Sequence, residues 1–452
     1  MTTPAAGELR RTLGFTDLVM LTLGTVIGSG IFLVPAVVLR QTGGSLGIAM
    51  SVWLIGGIVS FLGALTYAEL GAANPDAGGL YSYIRDAFGP LPAFLYGWTS
   101  FLVIASGSIA ALAVAFSNYL GQLVPMSSTS ARIVSVVLIL VIAAVNVRGA
   151  RESSSVENWT TATKVGALLI ISLALIVLGH GASSSASAIP VVKPASLFAG
   201  IGGAMIGILW AYEGWQYVTF SAGETRDPQR VFPRAIAVAT AALIALYMIA
   251  NVGYIVALGV TGAAASDHIA ADAMRSVFGP VSGKFFSALV LVSIFSAANG
   301  VMLTAPRLYY SMARDGVFFA RLARVNARFG TPVAAIILLA IWSALLAASG
   351  TFEQLLTYVV FTGWIFYGLG ALSVFALRRK HPEAPRPFRT PGYPLTPLLF
   401  VVSAAALVLN TLREQPERAF VGLGVVLLGT PAFYFWRART QRAAPTAPLP
   451  TA

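Results

Sequence analysis

A chain of 452 residues that is 57% hydrophobic and only 10% charged is not a soluble domain, since soluble domains carry about 25% charged residues. The absence of cysteine excludes structural disulfides, thiolate metal sites and cysteine nucleophiles, and three scattered histidines (His180, His268, His381) give a metalloenzyme little to build on. A net charge of +12 would suggest nucleic acid in a soluble protein; here it reads as membrane topology and attraction to anionic lipid.

A mean hydropathy of +0.80 with 44 glycines and 24 prolines points to many lipid-facing helices, interrupted in places. A crossing needs about 20 apolar residues, because the backbone must satisfy its own hydrogen bonds in lipid. Twelve such stretches fit, at 14–38, 46–72, 90–120, 131–147, 158–179, 197–221, 234–260, 284–312, 331–349, 354–378, 393–411 and 419–436. The expected fold is an all-α polytopic membrane protein. Residues 1–13 form an inner tail, and the Pro- and Ala-rich stretch 437–452 is expected to be disordered.

The first span carries Gly24-Thr25-Val26-Ile27-Gly28-Ser29-Gly30-Ile31-Phe32 at its centre. Glycine at this density weakens a helix by about 1 kcal/mol per site, so a break at mid-membrane depth is one reading. Close helix packing through Gly24 and Gly28 at GxxxG spacing is the other. The fifth span holds Lys164 about two turns in, where it either snorkels to the interface or has a partner. The sixth repeats the glycine pattern, from Gly200 to Gly207, followed by Trp210-Ala211-Tyr212-Glu213-Gly214-Trp215.

Breaks in spans one and six imply units of five spans. Five is odd, so the second unit is inverted, giving a five-plus-five repeat (14–180 and 197–380) with two added helices (393–436). Interrupted helices in corresponding positions are the sequence pointer to a transporter site, worked by alternating access. N–H groups around Ser29, Gly30 and Ile31 suit a carboxylate, and freed carbonyls around Val26, Ile27, Trp210 and Ala211 suit an ammonium. Together they describe the head group of an amino acid.

Later residues add detail. Glu213 in the second break contacts a cationic group, carries a proton or bonds to backbone. Glu69, Glu224 and Arg307, toward the inner span ends, form gate pairs or are solvated at the interface. Trp215, Phe361 and Trp364 lie near the expected pathway but suit packing equally well. With the N-terminus inside, the inner segments hold 20 basic residues against 7 outside, which places both termini in the cytoplasm.

Several motifs resemble the amino acid–polyamine–organocation superfamily, and within it the L-type amino-acid transporters and their bacterial relatives, over residues 14–390. They are Gly28-Ser29-Gly30-Ile31-Phe32, Ala211-Tyr212-Glu213-Gly214-Trp215 with Gly223-Glu224, Pro228 and Pro233, and Pro75-Asp76-Ala77-Gly78-Gly79 with Tyr81 and Tyr83. Asn299-Gly300, Arg307-Leu308, Ala313-Arg314-Asp315-Gly316 and Pro385-Arg386-Pro387-Phe388 complete the set. The resemblance implies the same fold and an amino-acid substrate. It assigns binding to Val26, Ile27, Gly28, Ser29, Gly30, Ile31, Trp210, Ala211, Glu213 and Asn299, with Trp210 as an aromatic lid.

It also implies gating or coupling roles for Lys164, Trp210, Glu213 and Tyr254. In this family a lysine at the Lys164 position replaces a bound sodium ion, so transport is expected to be sodium-independent, with no metal and no cofactor. Glu213 stands where mammalian L-type members have glycine. Neutral L-amino acids are the expected substrates, by exchange or with a proton, and a cationic amino-acid or polyamine antiporter is the alternative. The animal members' disulfide-linked single-span partner is excluded by the lack of cysteine. A channel filter or charge ring, a metal cluster and a Walker-type ATP motif are all missing from the sequence. Preference for arginine over lysine, with abundant alanine and glycine, suits a bacterial inner membrane.

Overall fold

In a computed structural model, the structure describes residues 11–75, 78–181, 197–326 and 328–443. The first expected span is two helices, α1 (Phe15–Val26) and α2 (Gly30–Gln41), bent by 46° at the break between them. Next come α3 (Leu46–Ala73), α4 (Leu80–Phe88) and α5 (Pro90–Thr99), which runs through a π-turn at Ser100–Ile104 into α6 (Ala105–Leu120). Then follow α7 (Ser128–Val147), α8 (Ala150–Leu178) and α9 (Leu197–Ala211). After three residues of turn, Trp215–Glu224 continues as a 3₁₀-helix.

The second half comprises α10 (Pro228–Ala265), α11 (Ile269–Phe278), α12 (Pro280–Arg314), α13 (Val333–Ser349), α14 (Phe352–Lys380), α15 (Leu395–Glu414) and α16 (Pro416–Ala443). Proline opens α5, α10, α12 and α16, where its missing N–H leaves no hydrogen bond unmade. Among the described residues there is no strand, only one isolated bridge between Leu13 and Thr225.

Among the described residues nine helices are each long and apolar enough to cross a membrane, counting α5 to α6 as one, and the bent pair α1 and α2 makes a tenth. The chain is thus an all-α, multi-pass membrane protein. At 15 and 17 residues, α9 and α13 are apolar but shorter.

The helices depart from the sequence expectation in three places. Helix α8 starts at Ala150, eight residues before the expected span, and its polar first turns bury Ser153, Ser154 and Glu157 against the bundle while Ser155 stays exposed. Helices α4 and α11 were not expected at all. They are 9 and 10 residues long, too short to register as apolar runs, and each buries one face while showing an arginine on the other. Residues 437–443, assigned to a disordered tail, prolong α16; 444–452 lie outside the described residues, as does most of the 1–13 tail.

Helix α1 lies in the middle of the bundle, against α8, α10 and α12, while α2 packs on α9 and α10. Both breaks are therefore enclosed by protein, the only setting in which irregular backbone survives at this depth.

Candidate functional site

Helix α1 ends at Val26 and α2 begins at Gly30, so the glycine-rich centre is a break and not merely a packing seam. Packing is present too. A Cβ on Gly30 would stand 2.5 Å from Ala211 Cα, so only glycine lets the start of α2 touch the end of α9. The second break occupies Tyr212 to Gly214, directly after α9.

Between the breaks is a cavity of about 20 Å³, lined by Thr25, Val26, Gly28, Ser29, Gly30, Trp210, Glu213 and Gly214, with Ser108, Leu112, Tyr217 and Val301 from surrounding helices. That volume suits about one water molecule, so the space between the breaks is narrow. The Ser29 hydroxyl is fully buried and has no hydrogen-bond partner. A buried hydroxyl without a partner costs free energy, which a bound polar group would recover.

A helix leaves its last four carbonyls without internal partners, and in lipid these cannot turn to water. At the first break they are met by side chains. Lys164, 3% exposed, donates from Nζ to the Gly24 carbonyl at 2.6 Å, to Ile27 at 2.7 Å and to Ser293 at 3.4 Å. Its three N–H bonds are all engaged, and the ammonium sits at the negative end of the α1 dipole. It does not snorkel. Ser293 also donates to Ile27 O at 2.9 Å, and the Tyr247 hydroxyl lies 3.2 Å from Val26 O and 3.0 Å from Ala211 O, linking the two breaks.

This corrects the expectation that freed carbonyls await an ammonium. Ile27 O already takes two donors, as does Val26 O, from Tyr247 and from Gly28 N–H at 2.8 Å. Bare carbonyls cost too much in a dry interior to stand idle.

At the second break, Gln216 Nε2 and the Tyr367 hydroxyl each donate to Glu213 Oε1 at 2.5 Å, and Gly214 N–H donates to Gln216 Oε1 at 3.1 Å. Glu213 therefore holds the turn together through one oxygen while bordering the cavity.

Other assigned residues fall elsewhere. Ile27, Ile31 and Ala211 flank the cavity in sequence without lining it, and Asn299 is not at its wall. The Asn299 amide instead donates to Glu157 Oε2 at 2.9 Å and accepts from Asn146 at 2.9 Å. Tyr254 is buried in α10 with its hydroxyl unpartnered and makes no hydrogen bond to Lys164. Trp215 and Trp364 pack edge-on and tilted against Phe400, away from the cavity. Phe361 is likewise buried packing, beside Gly422.

Glu69, Glu224 and Arg307, expected near the inner span ends, are all paired. Arg307 meets Glu224 through two nitrogens, at 2.9 and 3.2 Å, with both side chains buried. Glu69 accepts from Arg378 at 2.8 and 2.7 Å and from Thr390 N–H at 2.7 Å. Asp315 accepts from Tyr81 and Arg85, tying the short helix α4 to the end of α12. No group of three or more His, Asp or Glu suited to a metal occurs among the described residues.

A chain this apolar, with two interrupted helices facing one small cavity that carries Ser29 and Glu213, has the parts of a carrier. The sequence profile of the amino acid permease family matches residues 13–427. The chain belongs to that family. This permease is also 30% identical over 447 residues to the mouse "Large neutral amino acids transporter small subunit 2", covering 95% of this chain and 82% of the relative. It is 30% identical to the human "Cystine/glutamate transporter" (95% and 86% covered) and to the human "Asc-type amino acid transporter 1" (97% and 86%). The permease is an amino-acid transporter and not an enzyme. Lacking cysteine, it forms no disulfide with any partner.

Tyr247, Tyr367, Gln216, Ser293 and Glu157 were missed by the sequence reading. Only Glu157 left a trace, seven residues before Lys164 and so on the same helical face.

Proposed function

We propose that the permease exchanges neutral L-amino acids, or moves them with a proton, by sodium-independent alternating access. The observation that carries this reading is Lys164: a fixed ammonium, fully engaged with the first break, occupies the place where a mobile cation would otherwise join two helices. The substrate carboxylate meets Ser29, Gly30 and the first turn of α2. Its ammonium meets the Glu213 side and the α9 terminus, since the Val26 and Ile27 carbonyls are taken. Trp210 covers it.

The twelve-span count comes from adding α13 and the broken pair α9 with 215–224 to the ten spans above. The inverted repeat is supported by two parallel stretches: α4 ends in Phe88-Gly89-Pro90 before a long helix, and α11 ends in Phe278-Gly279-Pro280 before another. Residues 14–180 and 197–380 are then the two repeats, and 393–436 the added helices. The excess of basic residues on one side supports cytoplasmic termini, and with the composition it suits a bacterial inner membrane; in that topology the Arg307–Glu224 and Arg378–Glu69 pairs form an inner gate.

A second reading, cationic amino acids, is favoured by Glu213 at the cavity. Purified protein in vesicles loaded with unlabelled amino acid, given radiolabelled leucine or arginine, separates the two. Leucine uptake that needs internal amino acid or an inward proton gradient and is unchanged when Na⁺ is replaced is expected; uptake requiring Na⁺ overturns the reading. Glu213→Gln is expected to lower leucine turnover several-fold, because a neutral amide oxygen accepts more weakly from Tyr367 and Gln216. A selective loss of arginine uptake favours the second reading.

A further inference from the structure

Lys164 is not the only charge within the membrane portion of α8. Glu157 lies two turns earlier on the same face and is 1% exposed. A charged group at this depth is costly unless it has a partner or a task. Its three neighbours all donate to it: the Ser296 hydroxyl at 3.0 Å and Thr161 at 3.3 Å to Oε1, and the Asn299 amide at 2.9 Å to Oε2. Behind Asn299 the donors run in one direction. Ser153 donates to Asn146 Oδ1 at 2.8 Å, Asn146 donates to Asn299 Oδ1, and Asn299 donates to the carboxylate. A side chain that only accepts, from hydrogen bonds oriented toward it, is suited as an ionised carboxylate.

The cluster continues to the lysine. Thr161 and Ser296 stand 3.3 Å apart, and Ser293, one turn from Ser296 on α12, offers its carbonyl to Lys164 and its hydroxyl to Ile27. Among the described residues neither Glu157 nor Lys164 makes a direct ion pair, so the two charges, ~10 Å apart along the helix axis, balance each other through hydroxyls. Helix α1 lies directly over this strip. A Cβ on Gly24 would overlap Glu157 Oε1, so the α1 backbone rests on the carboxylate at one residue and hands its carbonyl to the ammonium at the same residue.

We propose that Glu157 is the counter-charge that keeps Lys164 an ammonium inside the membrane, and that this carboxylate and ammonium together form the seat on which the inner half of the broken first span closes. Glu157 is a positioning residue: it touches neither the cavity nor the substrate. The proposal rests on the reading of Lys164 as a fixed stand-in for a mobile cation.

Exchange in vesicles and thermal unfolding in detergent are measured for the full chain, Glu157→Gln, Glu157→Asp, Lys164→Met and the double variant Glu157→Gln/Lys164→Met. Glu157→Gln is expected to lower the turnover number about tenfold or more with KM changed less than about twofold, and Glu157→Asp to restore part of it. The double variant is expected to turn over no more slowly than the slower single variant and to unfold at a higher temperature than Glu157→Gln, because no lone charge remains buried. Wild-type turnover in Glu157→Gln overturns the proposal, as do losses that simply multiply in the double variant. If Glu157→Gln does not fold, the unfolding temperature of the double variant decides: failure of the double variant to fold overturns it. Sodium dependence of the unmodified protein, in contrast, defeats the reading of Lys164 itself and is scored separately.

Discussion

The two breaks are held by buried groups of opposite charge type. In the first, the carbonyl end of α1 is capped by a cation from α8, and the helix resumes three residues later as a regular α-helix. In the second, α9 ends against a carboxylate of its own turn, bonded to Gln216 and Tyr367, and the chain resumes as a tighter 3₁₀ run. The cation comes from a remote helix and joins α1 to α8 and α12, whereas the carboxylate is local apart from Tyr367. The first break is thus held chiefly by remote side chains, and the second by a local glutamine together with the remote Tyr367 and Tyr247. Motions that part helices should affect the first more.

That contrast can be broken. Lys164→Met removes three hydrogen bonds at once and leaves the Gly24 carbonyl bare, at about 1–3 kcal/mol, while Ile27 O keeps the Ser293 hydroxyl. Exchange is expected to fall about 100-fold or more, with a lowered unfolding temperature; counterflow in vesicles and a thermal melt measure both. If Lys164→Met instead costs less than Glu213→Gln, the assignment of remote and local control is reversed. Gly30→Val comes next, since its side chain meets the Ala211 backbone and separates α2 from α9. Substrate KM is expected to rise at least tenfold, read from the concentration dependence of uptake, and a small residue such as alanine should be milder. Tyr247→Phe is the gentlest, removing one hydroxyl shared by the two breaks, worth about 1 kcal/mol. Turnover within about fivefold of the parent is expected, and a loss as large as that of Lys164→Met would mean that the breaks communicate mainly through this tyrosine.

The first break was legible from its glycine cluster, whereas the second cluster, Gly200–Gly207, stays helical inside α9 and the break falls after it, at Tyr212–Gly214, in the motif marked by the family likeness. What satisfies the opened backbone was not legible. Tyr247 reaches Val26 from 221 residues away, and one tyrosine among 15 carries no local mark of that task. Glu157 escaped for a different reason: the apolar run begins at 158, so a residue just outside it reads as loop until α8 is seen to start at Ala150. The short helices α4 and α11 are amphipathic rather than apolar and left no hydropathy signal, although their repeated Phe-Gly-Pro endings were there to be compared. Asn299 was placed at the pocket by family likeness, while its amide orientation commits it to the carboxylate beside Lys164.

The chain ahead of α1 adds a mechanical constraint. Thr12 and Leu13 N–H groups both bond to the Glu224 carbonyl, at 2.9 and 3.0 Å, and Arg226 N–H returns a bond to Leu13 O at 2.8 Å. Glu224 is also the residue clamped by Arg307. The stem of one interrupted helix is therefore stitched to the foot of the other, and through it to α12. An outward swing of that stem must either unzip three main-chain links or carry the 3₁₀ segment along.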